Sequence, residues 1–186
     1  MSTCLVGSEM CIRDRNTQQA REFVNVTSGL LSLVTFILAT LGIIFAPQLI
    51  ALFTPGFVDE PDKMARTVEA LRIMFPYLFC ISLVAMSGGI LNTTNRFAVP
   101  AATPVLLNLC MIAALLILVP LMDSPTQALA YGVLLAGVVQ LAFQIPSLKR
   151  AGYLPRPSLS LNNEPSRRVF KLMLPAIFSV SVAQIN

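Results

Sequence analysis

Charge is what this sequence has least of. Only 12% of its residues are Asp, Glu, Lys or Arg, against 55% that are hydrophobic, and its mean hydropathy is +0.75. A soluble domain carries roughly 25% charged residues. A chain this poor in them cannot cover its surface for water, so lipid is the expected solvent. Histidine is absent altogether, which removes the commonest general base and the commonest metal ligand together. Tryptophan is absent too. Of the four cysteines, Cys4, Cys11, Cys80 and Cys110, none forms a CxxC pair and the last two lie inside apolar runs. They read as small hydrophobes rather than a disulfide or metal framework. No metal, no cofactor and no nucleic-acid partner is expected. In a membrane protein the formal net charge of +4 records which loops face the cytoplasm.

What the sequence has instead is long apolar runs. No charged residue occurs between Phe23 and Val58, which is enough for one spanning helix with an interfacial continuation. Pro47 is placed to kink its outer end, and Thr54-Pro55-Gly56 supplies a turn. A second run is interrupted by Pro76 and ends at Asn92-Thr93-Thr94-Asn95. A third carries Pro100 where a first helical turn tolerates it, and Asp123-Ser124-Pro125 turns the chain into a fourth. The spans are expected at 23–53, 67–91, 98–121 and 126–147, within a transmembrane region covering 16–148. The runs are too long and too little alternating for a β-barrel. Residues 149–168, with Pro155, Pro157 and Pro165, have the composition of a linker. Residues 169–186 begin another helix, with Asn163 or Ser166 as its cap, and stop after about fifteen apolar residues where a span needs roughly 20. Residues 1–15 lack the apolar region and cleavage site of a signal peptide, and they read as a non-native, adaptor-like leader. The expected fold class is all-α: a polytopic transmembrane bundle of about four complete spans and part of a fifth, truncated at both ends.

Loop charges give the sidedness. With alternating spans, one side holds Arg13, Arg15, Arg21, Arg96, Lys149, Arg150, Arg156, Arg167, Arg168 and Lys171, and the other only Lys63, Arg66 and Arg72. The positive-inside rule places the first group, and with it the 149–168 linker, in the cytoplasm. An enzyme working inside a membrane declares itself through ionisable groups at depth, and the four complete spans have none near their middle. Glu69 and Arg72, three apart at the entrance of the second span, are expected to form an interfacial ion pair. No catalytic residue is assigned, and the chain is not read as an enzyme. The polar residues within the spans, chiefly Asn108, Gln140 and Gln144, either line a wet cavity or hydrogen-bond a neighbouring helix. Small residues four apart, Ala85 with Gly89 and Gly132 with Ala136, permit close helix approach. The many prolines suit a carrier whose kinked helices open alternately to two sides.

Particular residues carry a resemblance. Phe75-Pro76-Tyr77, then Gly89-Ile90-Leu91-Asn92-Thr93-Thr94-Asn95-Arg96-Phe97 with Pro100-Ala101 and Pro104-Val105-Leu106-Leu107-Asn108, follow the pattern FPY and GAILNTxNRFxxPAxxPxLLN. Ala46-Pro47, Pro55-Gly56-Phe57, Gln140-Leu141, Gln144-Ile145-Pro146 and Pro175-Ala176-Ile177 recur in the same order. From about residue 20 to its end the chain resembles the MurJ (MviN) lipid II flippase family of the MOP exporter superfamily. The resemblance implies a piece of a two-lobed, MOP/MATE-like transporter: helices three to six of the first lobe, a cytoplasmic interlobe linker at 149–168 and the truncated start of the first helix of the second lobe. It implies a multi-pass protein of the bacterial inner membrane. The cargo would be lipid II, the undecaprenyl-pyrophosphate-linked peptidoglycan precursor, translocated by alternating access among membrane lipids. The family's cavity arginines lie on its first, second and eighth helices, outside this chain. No substrate-binding residue is therefore carried over; Asn108, Gln140 and Gln144 remain the cavity candidates. The alternatives are another exporter of the superfamily, moving oligosaccharide-lipids or drugs, and a transport-inactive, flippase-like scaffold.

Overall fold

A computed structural model describes residues 17–54, 56 and 60–155, with side chains from Ala20 onward. The leader, most of the linker and the final helical segment expected from the sequence lie outside the described residues. Every regular element among the described residues is helical: α1 (Thr17–Ile44), α2 (Ala46–Phe53), α3 (Pro61–Thr93), α4 (Ala98–Ala113) and α5 (Pro125–Ala151). A π-helical turn (Ala114–Leu118) and a 3-10 turn (Val119–Leu121) continue α4. Four stretches are long and apolar enough to cross a membrane: Ala20–Ile44, Pro61–Thr93, Ala98–Leu121 and Pro125–Ala151. This is a multi-pass membrane protein.

The apolar run from Phe23 is not one helix. It stops at Ile44, turns at Phe45 and resumes as α2, because Pro47 fits the first turn of a new helix, where no backbone donor is required. Pro76 does not interrupt α3, which passes through it unbroken. Proline is tolerated in a spanning helix when neighbouring groups compensate for the lost bond. α3 begins at Pro61, six residues before its expected start, and α5 continues through Ala151, into the segment read as linker. What ends α5 is Gly152, at φ 77, in the left-handed conformation that glycine adopts at least cost.

α3 contacts α1 and α5, and α5 also packs along α4. Both α3 and α5 finish with the 6→1 backbone bond of a Schellman motif, Arg96 N–H to the Leu91 carbonyl and Tyr153 N–H to the Leu148 carbonyl. Asn95, at φ 59, is the left-handed residue of the first. Between these endings lies the apolar core: Val24, Ile90, Leu91 and Leu148, with Met86, Val99 and Tyr153 against it. Four basic residues collect at the same end. Arg96 Nη1 donates to the Ser147 carbonyl at 3.5 Å, and Arg21 Nη2 lies 3.1 Å from where a Cβ on Gly152 would stand. The structure thus gathers Arg21, Arg96, Lys149 and Arg150 at one end of the bundle.

The expected Glu69–Arg72 ion pair does not form. Arg72 Nε instead donates to the Ile43 carbonyl at 3.2 Å, one of the α1 C-terminal carbonyls left without an intrahelical partner. At that end Lys63 pairs with Glu60 at 2.6 Å. The pair is solvent-exposed, so it is worth about 0–1 kcal/mol.

Candidate functional site

The polar groups at depth meet between α4 and α5. Gln140 and Gln144 are one helical turn apart and therefore share a face of α5; each is only 1% exposed. Both reach one residue of α4. Gln140 Nε2 donates to the Thr103 carbonyl at 2.9 Å, and Gln144 Nε2 donates to Thr103 Oγ1 at 3.2 Å. Thr103 Oγ1 in turn donates to the Val99 carbonyl at 3.4 Å. This network fixes the orientation of the carboxamides. A carbonyl oxygen can only accept, so Gln140 must turn its NH2 towards Thr103. The Thr103 hydroxyl proton is spent on Val99, so Gln144 must donate as well. The two Oε1 atoms then point away, buried and without a partner among the described residues.

Asn108 is placed differently. Five residues after Thr103, it lies about 140° around α4, and it is exposed. Its neighbours on that surface, Val105, Leu109 and Ile112, are exposed too. Two of the three candidates are therefore brought together and the third is not. Thr103 is the participant that sequence reasoning missed. Its signal was a hydroxyl between Pro100 and Pro104 in an otherwise apolar run, but apolar packing predicts no particular partner for it.

Close backbone contact surrounds the seam. A Cβ on Gly132 would stand 2.5 Å from Ala114 Cβ, and one on Gly137 would stand 2.7 Å from Tyr77 Cδ2 and 2.9 Å from Cys80 Cβ. Gly132 thus behaves as a close-approach site, as expected. Gly89 does not, since nothing lies within 4 Å of its Cβ position, and Ala85 is exposed. Gly88 lies nearer a neighbour, with Pro100 Cβ 3.5 Å from its Cβ position, an ordinary contact that a methyl group would fill. The arrangement can fix helices against one another in a medium without water. Among the described residues it brings no nucleophile to a base.

A family model described as "Lipid II flippase MurJ" matches residues 10–186 of this chain. A Haemophilus influenzae protein named "Probable lipid II flippase MurJ" is 43% identical over 175 residues, covering 90% of this chain and 34% of the relative. One of the same name from Vibrio cholerae is 39% identical over 90% of this chain and 33% of its own length. A "Lipid II flippase MurJ" from Burkholderia cenocepacia is 35% identical over 89% and 33%. The chain spans about a third of the length of the curated relatives it matches.

Proposed function

This chain belongs to the lipid II flippase MurJ family, and from that membership we propose that it forms most of one lobe of a carrier moving lipid II across the bacterial inner membrane. The observation that carries the reading is the family match over residues 10–186. The cargo sets the physical problem, since a pyrophosphate-bearing head group cannot pass about 30 Å of hydrocarbon unaided. A carrier solves it by offering polar contacts in a wet cavity that opens to each side in turn. No bond of the cargo is made or broken, so the function is transport and not catalysis. The partners are lipid II and the surrounding membrane lipids, and the basic end of the bundle faces the cytoplasm by the positive-inside rule.

Within this reading the chain supplies scaffold more than binding groups. Gln140 and Gln144 spend their donors on Thr103 and hold α5 to α4. Asn108 is the candidate placed to meet a cavity or another helix. A carboxamide turned to lipid tails is expensive, and its side chain is exposed on α4.

The test is to supply a complete gene for a two-lobed family member containing this segment to bacteria whose own lipid II flippase has been shut off. Growth should return, with lipid II becoming accessible to a degrading enzyme added outside the inner membrane. Cells that still lyse, with lipid II retained inside and the protein present in the membrane, would point to a different cargo.

A further inference from the structure

We propose that the π-helical turn Ala114–Leu118 is a hinge. On it the outer end of the third span, with the turn into α5, swings while α4 stays fixed. Such a hinge is a mechanical property of the span and does not depend on the cargo. Its origin is Pro120. In a regular α-helix the residue 120 N–H would bond to the Leu116 carbonyl, and the proline ring collides with that carbonyl instead. The chain widens to avoid the collision: the Val119 N–H donates to the Ala114 carbonyl, five residues back. It then tightens into the 3-10 turn Val119–Leu121. The helical ladder therefore changes step twice within eight residues. Elsewhere in a spanning helix, bending breaks backbone bonds that nothing in hydrocarbon can replace; here the ladder is already interrupted.

The span meets α5 in different ways below and within the π turn. Below the π turn, α4 is clamped through Thr103 to Gln140 and Gln144, and Pro100 packs towards Gly88. Within the π turn and the 3-10 turn, Ala114 is 3% exposed and touches α5 at Gly132. Leu116 is 69% and Leu121 76% exposed, with Leu115 and Ile117 exposed beside them. Alanine against glycine brings the backbones together without interlocking side chains, so the contact can serve as a pivot. Beyond it, only the 3-10 turn and residues 122–124 connect the π turn to α5. Small hinges at element ends are how carriers and lids absorb a large movement.

Distances between spin labels test this without any transport assay. In the full chain with Cys4, Cys11, Cys80 and Cys110 changed to serine, reconstituted in lipid nanodiscs, one pair is placed at Asp62→Cys and Leu121→Cys. A second is placed at Ala101→Cys and Arg150→Cys. The outer pair should give a distance distribution roughly twofold wider than the inner pair, reporting conformers that exchange slowly. Pro120→Ala should narrow the outer distribution to the inner width. Equal widths in the parent, or an outer width untouched by Pro120→Ala, would overturn the hinge. Should the cysteine-free chain not assemble, amide hydrogen exchange on the unmodified chain decides the same question. The amides of residues 115–119 should exchange at least about tenfold faster than those of residues 105–111, and equal protection would overturn the proposal.

Discussion

At the scale of single residues, glycine decides how near the helices come. Gly137 lets α5 lie against Tyr77 and Cys80, and Gly132 lets it lie against Ala114. A branched side chain at either position must push backbones apart, since the atoms it meets are Cβ atoms or a ring edge held by its own helix. Gly132→Val and Gly137→Val should each destabilise the bundle by about 1–3 kcal/mol, the usual cost of overpacking. Gly89→Ala, with nothing within 4 Å of the new methyl, should be neutral or stabilising by about 0.5–1 kcal/mol through helix propensity. Unfolding in detergent, followed by reaction of Cys80 and Cys110 with a thiol dye, reads all three, because both thiols are free and half-buried. If Gly89→Ala proves as damaging as Gly137→Val, the packing described for α3 against α5 is wrong. The sequence showed that these glycines lie in spans. It did not show which of them face a neighbour, because apolar residues surround each helix and the 3.6-residue period leaves no polar face to orient it.

Among elements, the pairing of α4 with α5 combines a favourable and an unfavourable feature. The Gln140 donor satisfies Thr103 while its own oxygen is left buried and unpaired among the described residues. Replacing it with an apolar side chain of similar shape removes one bond and one unmet acceptor together, and the Thr103 carbonyl keeps its partner within α4, so little stability is lost. Hydrogen bonds between spanning helices average about 0.6 kcal/mol. Gln140→Met should therefore change unfolding free energy by less than about 1 kcal/mol, measured by denaturant titration in detergent. A loss of about 1–3 kcal/mol, the range for an unsatisfied buried partner, would show that Gln140 Oε1 accepts a bond from a further donor. The helices themselves were legible from run length. Their prolines were legible at Pro47, which marks a break, and at Pro100, in a first turn, but Pro76, Pro104 and Pro146 sit inside continuous helix and Pro120 marks a change of helical step. Whether a spanning helix accommodates proline depends on what its neighbours re-satisfy, and that is a tertiary property. The same holds for Arg72, whose charge suggested Glu69 three residues away while the geometry offered the end of α1.

At the scale of the whole molecule, the alternation of four spans separates two ends of opposite charge character. The structure puts Arg21, Arg96, Lys149 and Arg150 at one end of the bundle, and Glu60, Asp62, Lys63 and Arg72 at the other. Which end meets the cytoplasm follows from charge, because basic loops are retained on the side where translocation begins. A membrane-impermeant maleimide applied to inside-out and right-side-out vesicles of a cysteine-free chain decides it. Asp62→Cys should react only in right-side-out vesicles and Arg150→Cys only in inside-out ones. Reaction of both residues from one side would contradict the odd number of crossings that separates them, α3, α4 with its continuation, and α5, and with it the assignment of at least one span. Reaction of each from the opposite side would leave the bundle intact and invert it, placing the basic end outside. That inversion would remove the cytoplasmic starting point from which the proposed carrier collects its cargo.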